Sequence, residues 1–252
     1  MSFNVSADSY LQFMGRYSGP LANRFANLAE IGAQQHVLDV GCGPGPLTAE
    51  LAGRLGPAAV SAADPSAPFV AAVAARLPEV DVRQAPAERL PFGDGTFDTA
   101  LAQLVVHFMT DPVAGLREMS RVTRAGGVVA ACVWDHAGGR GPVAAFWSAA
   151  RELDPGVDDE SGLAGVREGD LARLFGQAGL EVTRAEALTV SARFAGFDQW
   201  WAPYTLGVGP AGDYLAGLAP DARAALQERC QRRLPSGPFE VSATAWAVAG
   251  QV

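Results

Sequence analysis

Between Val37 and Leu47 the chain reads VLDVGCGPGPL, and Asp64 follows further on in SAADPS. Gly41, Gly43 and Gly45 allow a tight turn and let a ligand approach the bare backbone. A glycine loop after an apolar run suits a nucleotide-type ligand, and an acidic residue closing the next run would accept hydrogen bonds from ribose hydroxyls. The dinucleotide fingerprint G-x-G-x-x-G begun at Gly41 requires a glycine where the chain has Pro46, with Gly45 one position early. Asp64 suits either ligand, and loop caps at strand ends are the plainer reading of both Asp39 and Asp64. The other groups able to move a proton near neutral pH are three histidines. His107 in VVHFMTD is the first choice as a general base, His136 beside Asp135 the second, and His36, before the first apolar run, reads as surface.

The elements that must hold these residues alternate. Strand-like runs at Val37–Val40, Val60–Ala63, Val80–Arg83, Thr99–Leu104 and Val128–Trp134 are separated by helix-like stretches at Leu47–Leu55, Phe69–Leu77 and Val113–Thr123. Such alternation predicts βαβ units with helices on both faces of a parallel sheet. Gly126 and Gly127 are expected to stop the third helix. Leu180–Val190 and Phe239–Val248 read as an antiparallel pair closing the sheet, with a helical lid inserted at about 191–238 that could cap a pocket. Residues 154–169, rich in glycine and acidic residues, read as a mobile connection. The chain divides into an N-terminal helical cap, residues 1–30, and one main domain, residues 31–252.

Composition bounds the partners. A formal net charge of −8 opposes a phosphate backbone, which needs a basic face, so the expected partner is a small molecule and not nucleic acid. Cys42, Cys132 and Cys230 lie far apart without a CxxC pair, which predicts neither a metal site nor a disulfide framework. The N-terminus lacks the pattern of a signal peptide and no apolar stretch is long enough to span a membrane, so the expectation is a cytoplasmic protein. Nothing in the sequence specifies the oligomeric state.

Beyond the glycine loop, APAERLPFGDGTFDTALAQLVVHFMTDP and REMSRVTRAGGVVAACVWD follow in order. Together with LDVGCGPG these motifs, over Tyr10–Asp135, resemble the class I S-adenosylmethionine-dependent methyltransferases, in particular the small-molecule, type 11-like group. The resemblance implies a doubly wound, seven-stranded, mostly parallel Rossmann-like sheet with an antiparallel last strand. It implies S-adenosylmethionine as cofactor and methyl transfer to O, N or C of a small molecule. Gly41, Cys42 and Gly43 would lie against the methionine part of the cofactor, with Asp39 supporting the loop or a water near the amino group. Asp64 would hold the ribose, Pro65 would sit beside the adenine with Ala87 and Glu88 at its edge, and Gln103 and Leu104 would lie near the methionyl group. Tyr10 would cover the cofactor and Arg16 pair with its carboxylate. Relatives commonly place an Asp before Ala-Glu to receive the adenine amino group; Pro86 stands there in this chain, leaving that contact to backbone or to Glu88.

A sulfonium carries an activated methyl, so alignment of the acceptor does most of the work and few catalytic side chains are needed. The acceptor pocket is expected among aromatic residues: Phe13 and Tyr17 from the cap, Trp134 from the fifth strand, and Trp200, Trp201 and Tyr204 from the insertion, which favours an apolar or aromatic acceptor. Ordinary core packing is the competing reading of these rings. Two other functions share the motifs: a protein of this fold that binds the cofactor without transferring methyl, and an NAD(P)-dependent oxidoreductase, which Pro46 opposes.

Overall fold

The computed structural model describes residues 5–252; the first four residues of the expected N-terminal cap lie outside them. The cap contains α1 (Ala7–Tyr10), a π-helical turn (Leu11–Gly15) and α2 (Arg16–Leu28). Five strands then alternate with helices: β1 (Val37–Val40), α3 (Pro46–Leu55), β2 (Val60–Asp64), α4 (Ala67–Arg76), β3 (Asp81–Gln84), β4 (Phe97–Gln103), α5 (Pro112–Val122) and β5 (Thr123–Trp134). The remainder comprises α6 (Ala144–Leu153), α7 (Asp170–Ala178), β6 (Glu181–Phe194), α8 (Phe197–Trp201), α9 (Gly209–Gly217), α10 (Pro220–Arg233) and β7 (Phe239–Gln251).

The seven strands form one sheet in the order β3-β2-β1-β4-β5-β7-β6. The first five pair in parallel, and β7 runs antiparallel between β5 and β6. Successive strand residues point to opposite faces. Val37, Leu101 and Ala130 therefore join one buried cluster with Leu21, Phe25, Leu47 and Leu51 of α2 and α3. Leu38, Val40, Ala100 and Val129 join the other with Leu116, Met119, Leu171 and Leu174 of α5 and α7. Helices on both faces explain why β1 is buried along its whole length and apolar apart from Asp39.

Two sequence expectations need correction. Gly126 and Gly127 do not stop α5, which ends at Val122; both lie inside β5. Gly126 has φ +74°, and a Cβ on Gly127 would fall 2.6 Å from the Asp98 carbonyl oxygen, so the pair bends β5 closely around the start of β4. Residues 154–169 hold a short 3₁₀ turn, Glu160–Gly162, with Glu160 and Val166 buried and Asp159 paired to Arg151. The helical insertion begins after Phe194 because β6 pairs with β7 through Phe194–Phe239.

Candidate active site

The loop leaving β1 turns through three left-handed glycines, Gly41, Gly43 and Gly45, with φ of +69°, +54° and +85°. Its conformation is tied from several directions. The Gly41 and Cys42 amides both donate to the Ala63 carbonyl, at 2.7 and 3.1 Å. The Arg76 guanidinium donates to the Pro44 and Gly45 carbonyls, each at 2.8 Å. Pro46 opens α3 at a position where its missing N–H costs nothing. A Cβ on Gly41 would meet both Val105 methyls at 2.5 Å, whereas one on Gly43 would meet nothing within 4 Å. The Gly43 backbone thus faces open space.

That space is a cavity of about 560 Å³ at the carboxyl ends of β1, β2 and β4, the edge where open α/β sheets bind ligands. Its walls bring together Tyr10, Asp39, Gly41, Cys42, Gly43, Asp64, Pro65, Ala87, Glu88, Gln103 and Leu104, and Pro86 as well. Of the positions matched to cofactor contacts, Arg16 alone is elsewhere. Its guanidinium donates to the Arg193 carbonyl at 3.1 Å and lies 4.6 Å from the Phe194 ring centroid, tying α2 to β6. Ser18, Phe69, Phe108, Met109 and Thr110 are among the further wall residues and were not singled out in the sequence.

The two aspartates have different partners. Asp64 is 6% exposed and accepts from the Gly43 amide on Oδ2 and the Ser66 amide on Oδ1, both at 2.8 Å. It therefore fixes the loop to the end of β2, while each carboxylate oxygen keeps a further lone-pair direction. Burial raises its pKa against the pull of these two amides. Asp39 accepts from the Thr48 hydroxyl at 2.6 Å. Burial pushes its pKa up to about 7, the Thr48 hydrogen bond opposing and Asp64 adding to the rise. Glu88 accepts from the Thr110 and Asp111 amides at 2.8 and 3.3 Å, which pins the turn carrying Met109 and Thr110. Glu118 and Arg121 brace the stretch after Glu88: Glu118 accepts from the Leu90 amide and Arg121 donates to the Leu90 and Phe92 carbonyls.

Among the described residues, Gln103 Oε1 and Ser18 Oγ are buried oxygens on this wall without a hydrogen-bond partner. The Gln103 amide nitrogen donates to the Ser18 carbonyl at 3.0 Å, joining β4 to the cap. Leu104, just beyond β4, has φ +64°, uncommon for a residue with a side chain, and its amide donates to the Cys132 carbonyl at 2.8 Å. Tyr10 packs edge-on against Phe69 at 5.6 Å, and burial raises its phenol to about 12. Burial also raises the thiols of Cys42, Cys132 and Cys230, which are free and buried, so none is a ready nucleophile.

A second, smaller chamber of about 40 Å³ shares Tyr10, Leu104 and Phe108 with the large cavity. Its walls include Phe13, Trp134, His107, His136 and Glu160, with Val208, Gly209 and Pro210 from the insertion. The two imidazole centroids are 5.9 Å apart. Both histidines are pushed below the usual imidazole range, chiefly by burial. His36 stands apart, before β1, its amide donating to Asp98 at 2.7 Å. Glu160 was not singled out from the sequence, where it looked like part of a solvated loop; no pattern in that stretch marks one acidic residue as buried.

The remaining aromatics expected in an acceptor pocket lie elsewhere. Tyr17, Trp200 and Tyr204 border a crevice of only about 10 Å³, and Trp201 lines neither chamber. Tyr204 stacks on Phe146 at 4.7 Å and meets Phe13 at 5.1 Å, while Trp201 stacks on Phe197 at 5.8 Å. These rings form the packed joint between cap, α6 and insertion, because a large ring finds more contact among other rings than on a cavity wall.

Among the described residues, no group of three or more His, Cys, Asp and Glu is arranged to hold a metal ion, and no helix is long and apolar enough to cross a membrane. Residues 38–131 match the methyltransferase domain family. The chain is 42% identical over 104 residues to a demethylmenaquinone methyltransferase of Mycolicibacterium vanbaalenii, a match covering 41% of this chain and 43% of that one. It thus spans less than half of that relative's length. In solved structures the fold is similar to the [4+2]-cyclase SpnF, with TM-score 0.58 and 19% identity over 92% of this chain and 80% of that one. It is also similar to geranyl diphosphate C-methyltransferase from Streptomyces coelicolor A3(2), with TM-score 0.55 and 14% identity over 94% and 80% of the two chains. Residues 38–131 are thus similar to a methyltransferase domain, and the seven-stranded, mostly parallel sheet is similar in fold to these solved structures.

Proposed function

We propose that this protein binds S-adenosylmethionine in the large cavity and transfers its methyl group to O, N or C of a small, apolar or aromatic molecule. The observation that carries the reading is the Gly43 amide held on Asp64 Oδ2 at 2.8 Å, which presents bare loop backbone and a buried carboxylate to one cavity. The free lone pairs of Asp64 suit ribose hydroxyls. Gln103 Oε1 and Ser18 Oγ, buried without partners, suit the N–H donors of an amino group. The cofactor supplies an electrophilic methyl when bound. The chain's own contribution is to hold it, orient the acceptor behind the methyl carbon and exclude water, which can remove about 7 to 11 kcal/mol of barrier.

The relative named as a demethylmenaquinone methyltransferase supports a small-molecule acceptor without naming the one used by this chain. Residues 1–30 and the helices between β6 and β7 act, on this reading, as cap and lid over the acceptor. Because the same fold serves a protein named a cyclase, cofactor binding and methyl transfer need separate tests. Calorimetry with S-adenosylhomocysteine and with NAD(P) tests the first: uptake of the former alone is expected, and uptake of NAD(P) alone overturns it. Transfer of labelled methyl from S-adenosylmethionine into a small-molecule extract tests the second, and a cofactor that stays intact throughout favours a non-transferring member of the fold.

A further inference from the structure

The small chamber holds polar groups that the cofactor reading does not use. His107 is 5% exposed and its Nδ1 has no hydrogen-bond partner among the described residues. His136 Nε2 is likewise without one, and its nearest charge is Glu160 Oε1 at 3.7 Å. The side chains of His136 and Glu160 are 4% and 8% exposed. The other Glu160 oxygen accepts from the Trp147 indole N–H at 2.7 Å, which fixes the carboxylate in place. Two buried imidazole nitrogens beside an anchored carboxylate, neither bonded to another described side chain or backbone group, are suited to a donor that enters the chamber.

Size and charge narrow what enters. About 40 Å³ admits a few waters or a small substituent, since one water needs on the order of 10 to 15 Å³ by this measure. An aromatic ring must therefore remain on the side of the large cavity, across the shared walls Tyr10, Leu104 and Phe108. Among the described residues no lysine or arginine lines the chamber, and Arg140 and Arg151 are engaged by Asp135 and Asp159. A carboxylate or phosphate on the acceptor would face Glu160 uncompensated.

We propose, on the basis of the methyltransferase reading above, that this chamber receives a phenol-type hydroxyl of the acceptor, that His136 takes its proton, that His107 hydrogen-bonds it, and that Glu160 is the positioning residue that holds His136 ready. The acceptor O–H bond breaks with its proton passing to His136 Nε2. The oxygen lone pair forms the new bond to the methyl carbon as the carbon–sulfur bond of S-adenosylmethionine breaks, and sulfur keeps that electron pair. The new imidazolium lies beside Glu160, whose charge offsets its burial. Charges from every neighbouring element act on His136: Glu160, Asp135 and Asp159 favour its charged form, while burial disfavours it and the adjoining His107 is itself held neutral.

The test uses ¹⁵N-imidazole spectra of the full chain, whose three histidines include His36 as an internal control. In E160Q the amide carbonyl still accepts from Trp147, so melting within a few degrees of wild type verifies the fold. The His136 titration is expected at lower pH in E160Q than in wild type, with His36 unmoved; an unchanged His136 titration overturns the coupling to Glu160. With S-adenosylhomocysteine present, 2-naphthol is expected to shift the His107 and His136 signals. It should bind about tenfold or more tightly than 2-methylnaphthalene, whose methyl fills similar space without the hydrogen bond. Binding of 2-methylnaphthalene, 2-naphthoate or 1-naphthylmethylamine as tight as 2-naphthol, or no binding of any of them, overturns the hydroxyl assignment. Absence of S-adenosylhomocysteine binding, measured separately by calorimetry, would instead strike the cofactor reading and leave the His136 titration as an independent result.

Discussion

The large cavity and the histidine chamber meet at Tyr10, Leu104 and Phe108 yet hold their buried titratable groups in different ways. Around the large cavity the two buried aspartates are engaged: Asp64 by the Gly43 and Ser66 amides, Asp39 by the Thr48 hydroxyl. In the small chamber both histidines keep a buried nitrogen without a partner. The first region is a preorganised platform whose acids also hold the backbone in shape. The second stores unmet hydrogen-bonding capacity for a visitor. A fold can keep the first constant and vary the second, because the platform rests on short loops at strand ends while the chamber is assembled from the cap, the end of β4, the end of β5, the 160 turn and the insertion.

Four substitutions would break or sharpen this contrast. Trp201→Ala is expected to cost about 3 to 5 kcal/mol of stability, since the ring is 7% exposed within an aromatic stack. Affinity for S-adenosylhomocysteine should stay within about threefold, as expected for mutations without shared partners. Urea denaturation beside calorimetry reads both, and loss of affinity without loss of stability would mean that Trp201 acts on the cofactor site and not through packing. Gly41→Ala forces a Cβ to 2.5 Å from the Val105 methyls at φ +69°, so about 2 to 4 kcal/mol of destabilisation is expected from overpacking and left-handed strain. An unaltered denaturation midpoint would mean the loop is not as tightly seated as its contacts require.

Asp64→Asn should lower S-adenosylhomocysteine affinity about 100-fold, as loss of hydrogen bonds to a charged group does, while the His107 and His136 imidazole signals stay in place. Equal disturbance of both regions would show that they are not separable. The last effect is on pH dependence. Asp39 has a native pKa raised to about 7 from 3.8, so the folded state binds a proton that the unfolded state has released. Its contribution is complete below about pH 4 and is lost as pH rises towards 7. Asp39→Asn should therefore flatten the decline in unliganded stability over that interval by up to about 4 kcal/mol, about 1.4 kcal/mol for each of roughly three pH units, read from urea midpoints at several pH values. A decline as steep as in wild type would assign the pH dependence to other groups.

The contrast also explains how far the sequence could be read. The residues of the large cavity sit within a few positions of strand ends, so a glycine loop and an acid closing the following strand locate them once β1, β2 and β4 are recognised. Arg16 went astray because a guanidinium on a helix has several carbonyls and rings within reach, and only packing of α2 on β6 selects Arg193 and Phe194. Gly126 and Gly127 look alike as a helix stop and as a strand bend until the Asp98 carbonyl is seen to lie where a side chain would go.

Alone, the order of residues determined the alternation of strands and helices, the left-handed loop after β1 and the acid after β2, because these follow from local periodicity and from backbone conformations that glycine alone tolerates well. Tertiary structure decided which buried nitrogens and carboxylates meet. Glu160 and His136 reach one another because the chain brings the turn at 160 beside the residues that follow β5. The Trp147 indole then holds the carboxylate there. Burial and charge proximity are properties of that packing, and no spacing along the chain encodes them.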